Sequence, residues 1–229
     1  MTTETLHKEI KKSPFKGSCP PGNGGTEEGN KTIDLEGIHK EIKQSLRLLM
    51  NGVTAQSLRN KGADYHLNWG ANLLHLKEMA KDYEPSSELA ELLWKDDIRE
   101  CKILASMLMP PEKFTEELAR KWIEETPTQE IAEIASKQLF SKLPYAKEFA
   151  LKLLHDAGEK IPLYRGNEWG VLYAFCILGS LSTAEYNPFS DEEKAFIASQ
   201  ATAVIEDTPL PIGLRHAAHN LLVRISFSS

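Results

Sequence analysis

Basic side chains stand at or near the ends of several predicted helices, where their chemistry suits them to binding phosphates. Lysine and arginine neutralise phosphates and release counterions, which is the main source of sequence-independent affinity for DNA. A simpler interpretation is that they are solvated, stabilise helix C-termini or pair with neighbouring acids. The residues concerned are Arg59, Lys61, Arg99, Lys102, Arg165, Arg215 and Arg224.

Four tryptophans could supply aromatic faces for stacking. Trp94 and Trp122 fall on the apolar stripes of predicted helices, so we assign them to the core. Trp69 lies in an Asn-Trp-Gly turn and Trp169 follows a Gly-Asn-Glu turn. These two rings are equally compatible with burial and with exposure, and they are the aromatic candidates for a binding surface.

Metal and nucleophile chemistry have less support. His216 and His219 have the i, i+3 spacing of a metal-binding pair, but no matching carboxylate or cysteine pattern stands nearby. The three cysteines also lack metal-like spacing. The sequence has no Gly-rich phosphate loop, nucleophile elbow or Cys/His dyad. We therefore expect neither a metal site nor a cofactor.

The segment from Glu91 to Pro111 predicts the structural unit that positions such side chains. One helix ends at a Lys-Asp turn, and a second begins at Asp97, which forms a predicted capping box with Glu100. Apolar residues then recur at helical spacing until two prolines end the helix. A short antiparallel helix pair with a charged corner is the repeating unit of an α-solenoid.

The rest of the chain repeats this pattern and predicts an all-α fold. Period-two alternation of β-branched residues is absent, and about ten helices with short loops are expected. We predict an α-solenoid of antiparallel helix pairs, with a compact helical bundle as the alternative. Further helix starts are predicted at Thr54, at Ser86, at Ser190 and in Thr126-Pro127-Thr128-Gln129, with Pro127 as the first helical residue.

Composition and charge limit the interpretation further. The 229 residues are 41% hydrophobic and 26% charged, and the longest apolar run, Gly170 to Leu181, predicts a buried helix because it is too short to span a membrane. We interpret residues 1–33 as a flexible tail and residues 34–229 as one domain. The tail has a net charge of +1, which leaves −7 for the rest. Since no secretory signal is evident, we expect a cytoplasmic monomer without a membrane partner.

Three segments, in this order, carry a resemblance to a known family. Residues 48–52 and 56–59 form the first, residues 65–70 form a turn before an apolar helix, and residues 93–109 form the helix pair described above. By these segments the chain, from about Glu36 to Arg224, resembles the AlkD-like DNA alkylation repair glycosylases, which are built from HEAT-like repeats. The resemblance implies a concave groove that receives duplex DNA and, in some members, excision of N3- or N7-alkylated purines.

The catalytic residues that the resemblance implies are replaced in this chain. Expulsion of a cationic base develops positive charge on the deoxyribose, so active members present a carboxylate, aromatic rings and a phosphate-holding arginine. Glu130 lies on the first turn of the relevant helix and is the one acid that could act instead, through a shifted register. The positions expected to hold an aromatic residue, the carboxylate, the arginine and a second aromatic residue are Thr128, Ala132, Leu172 and Asn220.

Two functions of different classes follow. The first is binding of damaged or distorted duplex DNA with weak or absent base excision. The second is a non-catalytic HEAT-like scaffold whose groove binds a basic or apolar protein segment. The sequence favours the first, although Arg99 could instead be structural and pair with Asp96. The predicted DNA contacts are Arg59, Arg99, Arg165, Trp169 and Arg215.

Overall fold

The computed structural model describes residues 34–60, 63, 65–158, 168–182 and 186–226, and these ranges contain eleven α-helices. The predicted tail and Arg165 lie outside the described residues, so the division into tail and domain stays a prediction. The helices are α1 (Leu35–Leu48), α2 (Gly52–Asn60), α3 (Leu73–Ala80), α4 (Ser87–Lys95), α5 (Arg99–Leu108), α6 (Glu116–Glu124), α7 (Gln129–Gln138), α8 (Ala146–Gly158), α9 (Glu168–Leu181), α10 (Asp191–Glu206) and α11 (Ile212–Ser226).

Five alternate helices form a row in which each helix packs against the next one. Helices α3, α5, α7, α9 and α11, which we call the odd-numbered row, contact one another in that order. Helices α4, α8 and α10 pack on this row as the partners of α5, α9 and α11. Stacked pairs bury their apolar faces mainly against neighbours in sequence. The predicted all-α stack of helix pairs is confirmed, and β-structure in the described ranges is an isolated bridge between Leu67 and Ile98.

Polar side chains cap two helices as predicted. The Ser86 hydroxyl accepts a hydrogen bond from the Leu89 N–H at the start of α4. At the start of α10, Ser190 and Glu193 form a complete capping box, in which each side chain accepts a hydrogen bond from the other's backbone N–H. These bonds satisfy amides that have no partner inside the helix.

Two other helix starts differ from the prediction. Helix α2 is capped by Asn51, whose side-chain oxygen accepts from the Thr54 N–H at 3.0 Å, so Thr54 lies inside the helix. Helix α7 begins at Gln129 with Thr128 as its cap, so Pro127 precedes the helix. In both cases the polar side chain that reaches the free amides decides where the helix starts.

The predicted capping box at Asp97 is wrong. Ile98 occupies the N-cap position of α5 and makes no side-chain cap hydrogen bond. Glu100 is fully buried, and its two carboxylate oxygens accept hydrogen bonds from the N–H groups of Trp69 and Ala71, each at 3.1 Å. Leaving buried amides unbonded would cost more than leaving a solvent-facing cap unmade, so Glu100 binds the loop.

Aromatic rings fill the core. Trp94 and Trp122 stack with ring centroids 4.0 Å apart, and the edge of Phe114 packs on Trp122 at 4.8 Å. The assignment of both tryptophans to the core is confirmed. Helix α9 is buried along most of its length, as its apolar run predicts.

Gly70 has a backbone conformation that a side chain would strain. Its φ angle is +73°, and a Cβ atom added there would lie 2.3 Å from the Asn51 carbonyl oxygen. We expect Gly70→Ala to lower the free energy of unfolding by at least about 1–2 kcal/mol, as the left-handed conformation alone costs that much. The matched control is Gly179→Ala, whose added methyl meets nothing within 4 Å. It should instead stabilise the helix by about 0.4–1 kcal/mol in the same urea titration, and equal effects of both variants would contradict the argument.

Candidate functional site

The helices of the odd-numbered row begin beside one another. Ala71, just before α3, accepts a hydrogen bond from Arg99 at the start of α5, and Arg99 in turn binds Glu130 at the start of α7. Gln129, the first residue of α7, shares a pocket with residues at the starts of α9 and α11. Side chains at these five starts therefore adjoin along the row, at the end where helix dipoles favour negative charge.

Arg99 and Glu130 form a bidentate ion pair. Arg99 Nε donates to Glu130 Oε2 at 2.9 Å, and Arg99 Nη2 donates to Glu130 Oε1 at 2.6 Å. The remaining guanidinium nitrogen, Nη1, donates to the Ala71 carbonyl at 3.0 Å and to Glu100 at 2.9 Å. Every nitrogen of the Arg99 side chain thus has a partner, and the residue is 4% exposed.

The alternative ion pair of Arg99 with Asp96 is wrong. Asp96 instead binds His39 at 2.7 Å and Lys43 at 3.0 Å, which joins α1 to the corner between α4 and α5. A DNA contact by Arg99 stays a prediction, but the burial of the guanidinium and its carboxylate partners support a structural role.

A chain of hydroxyl groups also reaches Glu130. Tyr65 donates its phenolic hydrogen to Glu130 Oε2 at 2.6 Å, and the Thr128 hydroxyl donates to the Tyr65 oxygen at 2.7 Å. The Thr128 oxygen also accepts from the Ile131 N–H as the cap of α7. Both Glu130 oxygens are therefore engaged, and the side chain is 28% exposed.

These contacts set the protonation state of the pair. Burial by itself would raise the pKa of the Glu130 carboxyl, but the hydrogen bonds from Arg99 and Tyr65 lower it by more, so the pKa lies below its usual value. Burial and the bond to Glu130 both raise the pKa of the Tyr65 hydroxyl. At neutral pH the site therefore holds an ionised carboxylate and a protonated phenol.

The lowered pKa of Glu130 predicts a stability that depends on pH. A carboxyl whose pKa is lower in the folded state stabilises the fold above its unfolded pKa, about 4.3, and loses this contribution as the pH falls through the folded value. We expect Glu130→Gln to be less stable than the native chain at pH 7, with the difference shrinking below about pH 4. Thermal unfolding from pH 7 to pH 3 measures this, and a difference that is constant with pH would contradict it.

A shallow pocket of about 270 Å³ opens between the starts of α7, α9 and α11. Trp169 is partly exposed there, whereas the other aromatic candidate, Trp69, is buried. Gln129 donates from its side-chain nitrogen to Glu133 at 2.6 Å, and its side-chain oxygen rests against Gly213, where a Cβ atom would lie only 1.6 Å away. The lining residues are Gln129, Glu168, Trp169, Leu172, Pro211 and Leu214.

The predicted basic contacts have different environments. Arg59 is exposed near the end of α2, and its guanidinium donates to Gln56. Arg215 is partly buried on the first turn of α11, and its buried Nε has no hydrogen-bond partner among the described residues. Lys102 is buried and donates to the Trp94 carbonyl at 2.7 Å. Among the predicted contacts that the structure describes, Arg59 thus has the most accessible charge, and the convergence of the basic residues on DNA stays a prediction.

The four positions at which we predict that catalytic residues are replaced supply no carboxylate. Thr128 is the buried cap of α7, and Ala132 is fully buried in the same helix. Leu172 is 3% exposed at the edge of the pocket, and Asn220 is exposed on α11. The acids that the described structure brings to the starts of the odd-numbered row include Glu100 and Glu130, which both pair with Arg99, and Glu168.

Sequence reasoning missed three members of the site. Glu100 has the spacing of a capping residue, Tyr65 lies in a turn 65 residues from its partner, and Glu168 lies beside a tryptophan without a local motif. The signal available for Glu100 was its position one residue after Arg99 at the start of an apolar helix. Local patterns do not encode the long-range partners of Tyr65.

Within the described ranges, the His, Cys, Asp and Glu side chains form no group of three that could hold a metal ion. Among the helices described, none has both the length and the apolar character needed to cross a membrane.

Stacked helix pairs joined through an odd-numbered row define a HEAT-like repeat protein. A solved structure superposes on this chain with a TM-score of 0.70 at 20% sequence identity. The match covers 83% of this chain and 76% of the other one. It is described as one of a new family of proteins related to the HEAT-like repeat DNA glycosylases with affinity for branched DNA structures. At this identity the likeness shows the fold.

The chain belongs to the DNA alkylation repair enzyme family, whose sequence model matches residues 42–157. The resemblance seen in the sequence is therefore confirmed. The matched range includes Arg99 and Glu130 and ends before Trp169. No curated protein matches the chain.

Proposed function

We propose that this protein binds branched or otherwise distorted duplex DNA along the starts of the odd-numbered row and the adjoining helix α2, which contacts the loop before α3, and that it excises alkylated bases weakly or not at all. Membership of the DNA alkylation repair family and the likeness to a protein with affinity for branched DNA support the binding. The observation that carries the second part is the engagement of both Glu130 oxygens by Arg99 and Tyr65.

The paired state of Glu130 is a poor starting point for catalysis. Stabilising a sugar cation requires a carboxylate aimed at the sugar before the bond breaks. Glu130 would have to leave a buried arginine to reach a substrate, and removing one partner of a buried pair typically costs about 3–5 kcal/mol. This cost of separating Glu130 from Arg99 would offset the rate enhancement that one well-placed electrostatic group gives, which is about 100-fold to 1000-fold.

The charge balance predicts that the affinity for DNA is modest and sensitive to salt. Residues 34–229 carry a net charge of −7, so binding must come from local basic side chains. Each phosphate contact contributes about one unit to the slope of log affinity against log salt. The contribution of Arg59 to DNA affinity is the easiest to isolate, because its charge is exposed and its guanidinium donates to the neutral side chain of Gln56.

Arg59→Ala should weaken binding to a DNA three-way junction and reduce the salt slope by about one unit. Fluorescence anisotropy of a labelled junction between 25 and about 150 mM salt measures both quantities. The matched control is Lys81→Ala, which removes an exposed charge beside Glu78 just after the last residue of α3, at the opposite end of that helix from its start. An equal loss in both variants would show that the effect is one of net charge alone.

A protein-interaction scaffold is the second candidate function. Large apolar side chains are exposed where α1 meets α2, with Leu48 at 87%, Met50 at 60% and Val53 at 83%. Exposed apolar groups of this kind are typical of partner-binding surfaces. Failure of the native chain to bind any junction or duplex, even at low salt, would favour the scaffold.

A further inference from the structure

Aromatic and aliphatic side chains both line the pocket between α7, α9 and α11. Trp169 is the one tryptophan that is not buried, and Leu172 and Leu214 are each 3% exposed. The volume of about 270 Å³ falls below the range of about 300–1,000 Å³ that is usual for drug-sized ligands. The pocket therefore suits a single planar ring system.

The polar groups of the pocket are mainly hydrogen-bond acceptors. Glu168 contributes a carboxylate, which only accepts when ionised. Gln129 donates from its amide nitrogen to Glu133, and its oxygen rests against Gly213. A planar ligand with an exocyclic amino group, which donates hydrogen bonds, fits this arrangement.

We propose that this pocket takes one unpaired, amino-bearing nucleobase at the branch point of a bound DNA, stacked on Trp169 with its amino group donating to Glu168. The proposal rests on the proposed DNA binding and specifies which part of a branched DNA is recognised. Adenine, cytosine and guanine carry such an amino group, whereas thymine does not.

The free energies of stacking and of base extrusion explain why the base must already be unpaired. Stacking one base on one aromatic side chain is worth about 5-fold to 150-fold in affinity. Extruding a paired base from a duplex costs a similar amount, and the cost is least for a base that is already single-stranded. One tryptophan therefore gives little net affinity for intact duplex and a clear gain at a branch.

The test uses three DNA junctions that differ at one unpaired branch-point residue: adenine, thymine, or an abasic sugar. Anisotropy titrations with the full chain should show adenine bound about 5-fold to 150-fold more tightly than the abasic junction, with thymine between them. Trp169→Ala should remove the difference and keep the affinity for the abasic junction. Trp169→Phe should restore part of it, because a smaller ring still stacks.

Two further variants separate stacking from hydrogen bonding and from charge. Glu168→Gln should lose the preference for adenine over thymine while still favouring either base over the abasic sugar. Because Glu168 is partly exposed, Glu168→Gln also tests the pocket if Trp169→Ala fails to fold. Arg59→Ala should weaken all three junctions by one common factor.

The outcomes distinguish the pocket from the proposed function. Equal affinity of the native chain for all three junctions would overturn the pocket and leave the proposed DNA binding intact. A base preference that survives in both Trp169→Ala and Glu168→Gln would also overturn it. No binding to any junction would overturn both proposals.

Discussion

Arg99→Ala should lower the free energy of unfolding by about 3–5 kcal/mol, the usual cost of removing one partner from a buried ion pair. Arg99 is 4% exposed and Glu100 is 0% exposed, so the substitution leaves a buried carboxylate without its cation. It also leaves Glu130 with Tyr65 alone. Urea denaturation followed by far-ultraviolet circular dichroism measures the loss.

Arg120→Ala is the matched control for this experiment. Arg120 also binds two carboxylates, those of Glu116 and Asp156, but its side chain is 35% exposed. Pairs accessible to solvent contribute about 0–1 kcal/mol. A small and equal effect of both substitutions would contradict the structural role of Arg99. If Arg99→Ala instead weakens DNA binding and leaves stability unchanged, the predicted DNA contact is right.

Release of 7-methylguanine or 3-methyladenine from DNA should proceed near the spontaneous rate in single-turnover experiments. We predict that Ala132 and Leu172, which are both buried apolar residues, replace the carboxylate and the arginine of the family. Losing one well-placed electrostatic group costs about 100-fold to 1000-fold in rate, and this prediction removes two.

Glu130→Gln and Glu168→Gln provide the comparison for excision. If the native chain releases base at the spontaneous rate, neither variant should change it. Rapid release by the native chain that vanishes in one of these variants would identify that residue as the catalytic acid and show that the protein is an active glycosylase. Glu130→Gln must be compared at a temperature where it is folded, because it also weakens the pair with Arg99.

The sequence predicts the stack because helix formation depends on local signals. Ser86 and the Ser190 capping box mark two helix starts, and apolar spacing marks the faces that pack. The assignment of Trp94 and Trp122 to the core follows from the same stripes. Such features involve residues that are close in sequence, so they can be recognised without knowing the fold.

The Arg99 network could not be predicted in the same way. Glu100 has the spacing of a capping residue, but the buried amides of Trp69 and Ala71, about 30 positions away, compete for its carboxylate. Arg99 pairs with Glu130 at a similar separation rather than with nearby Asp96. Partners distant in sequence are set by helix packing.

The pocket was predicted only in part. The turn before Trp169 indicated a candidate ring, and the structure places that ring in one pocket with Glu168 and Gln129. The convergence depends on how three helices begin beside one another, which no local pattern specifies.

The most direct test is a competition between a three-way DNA junction and a linear duplex of the same length and composition for the full chain at low salt. Binding of branched DNA predicts that the junction displaces the duplex at a lower concentration, and that both affinities fall as salt rises. Equal competition by the two DNAs, or no binding of either, would contradict it.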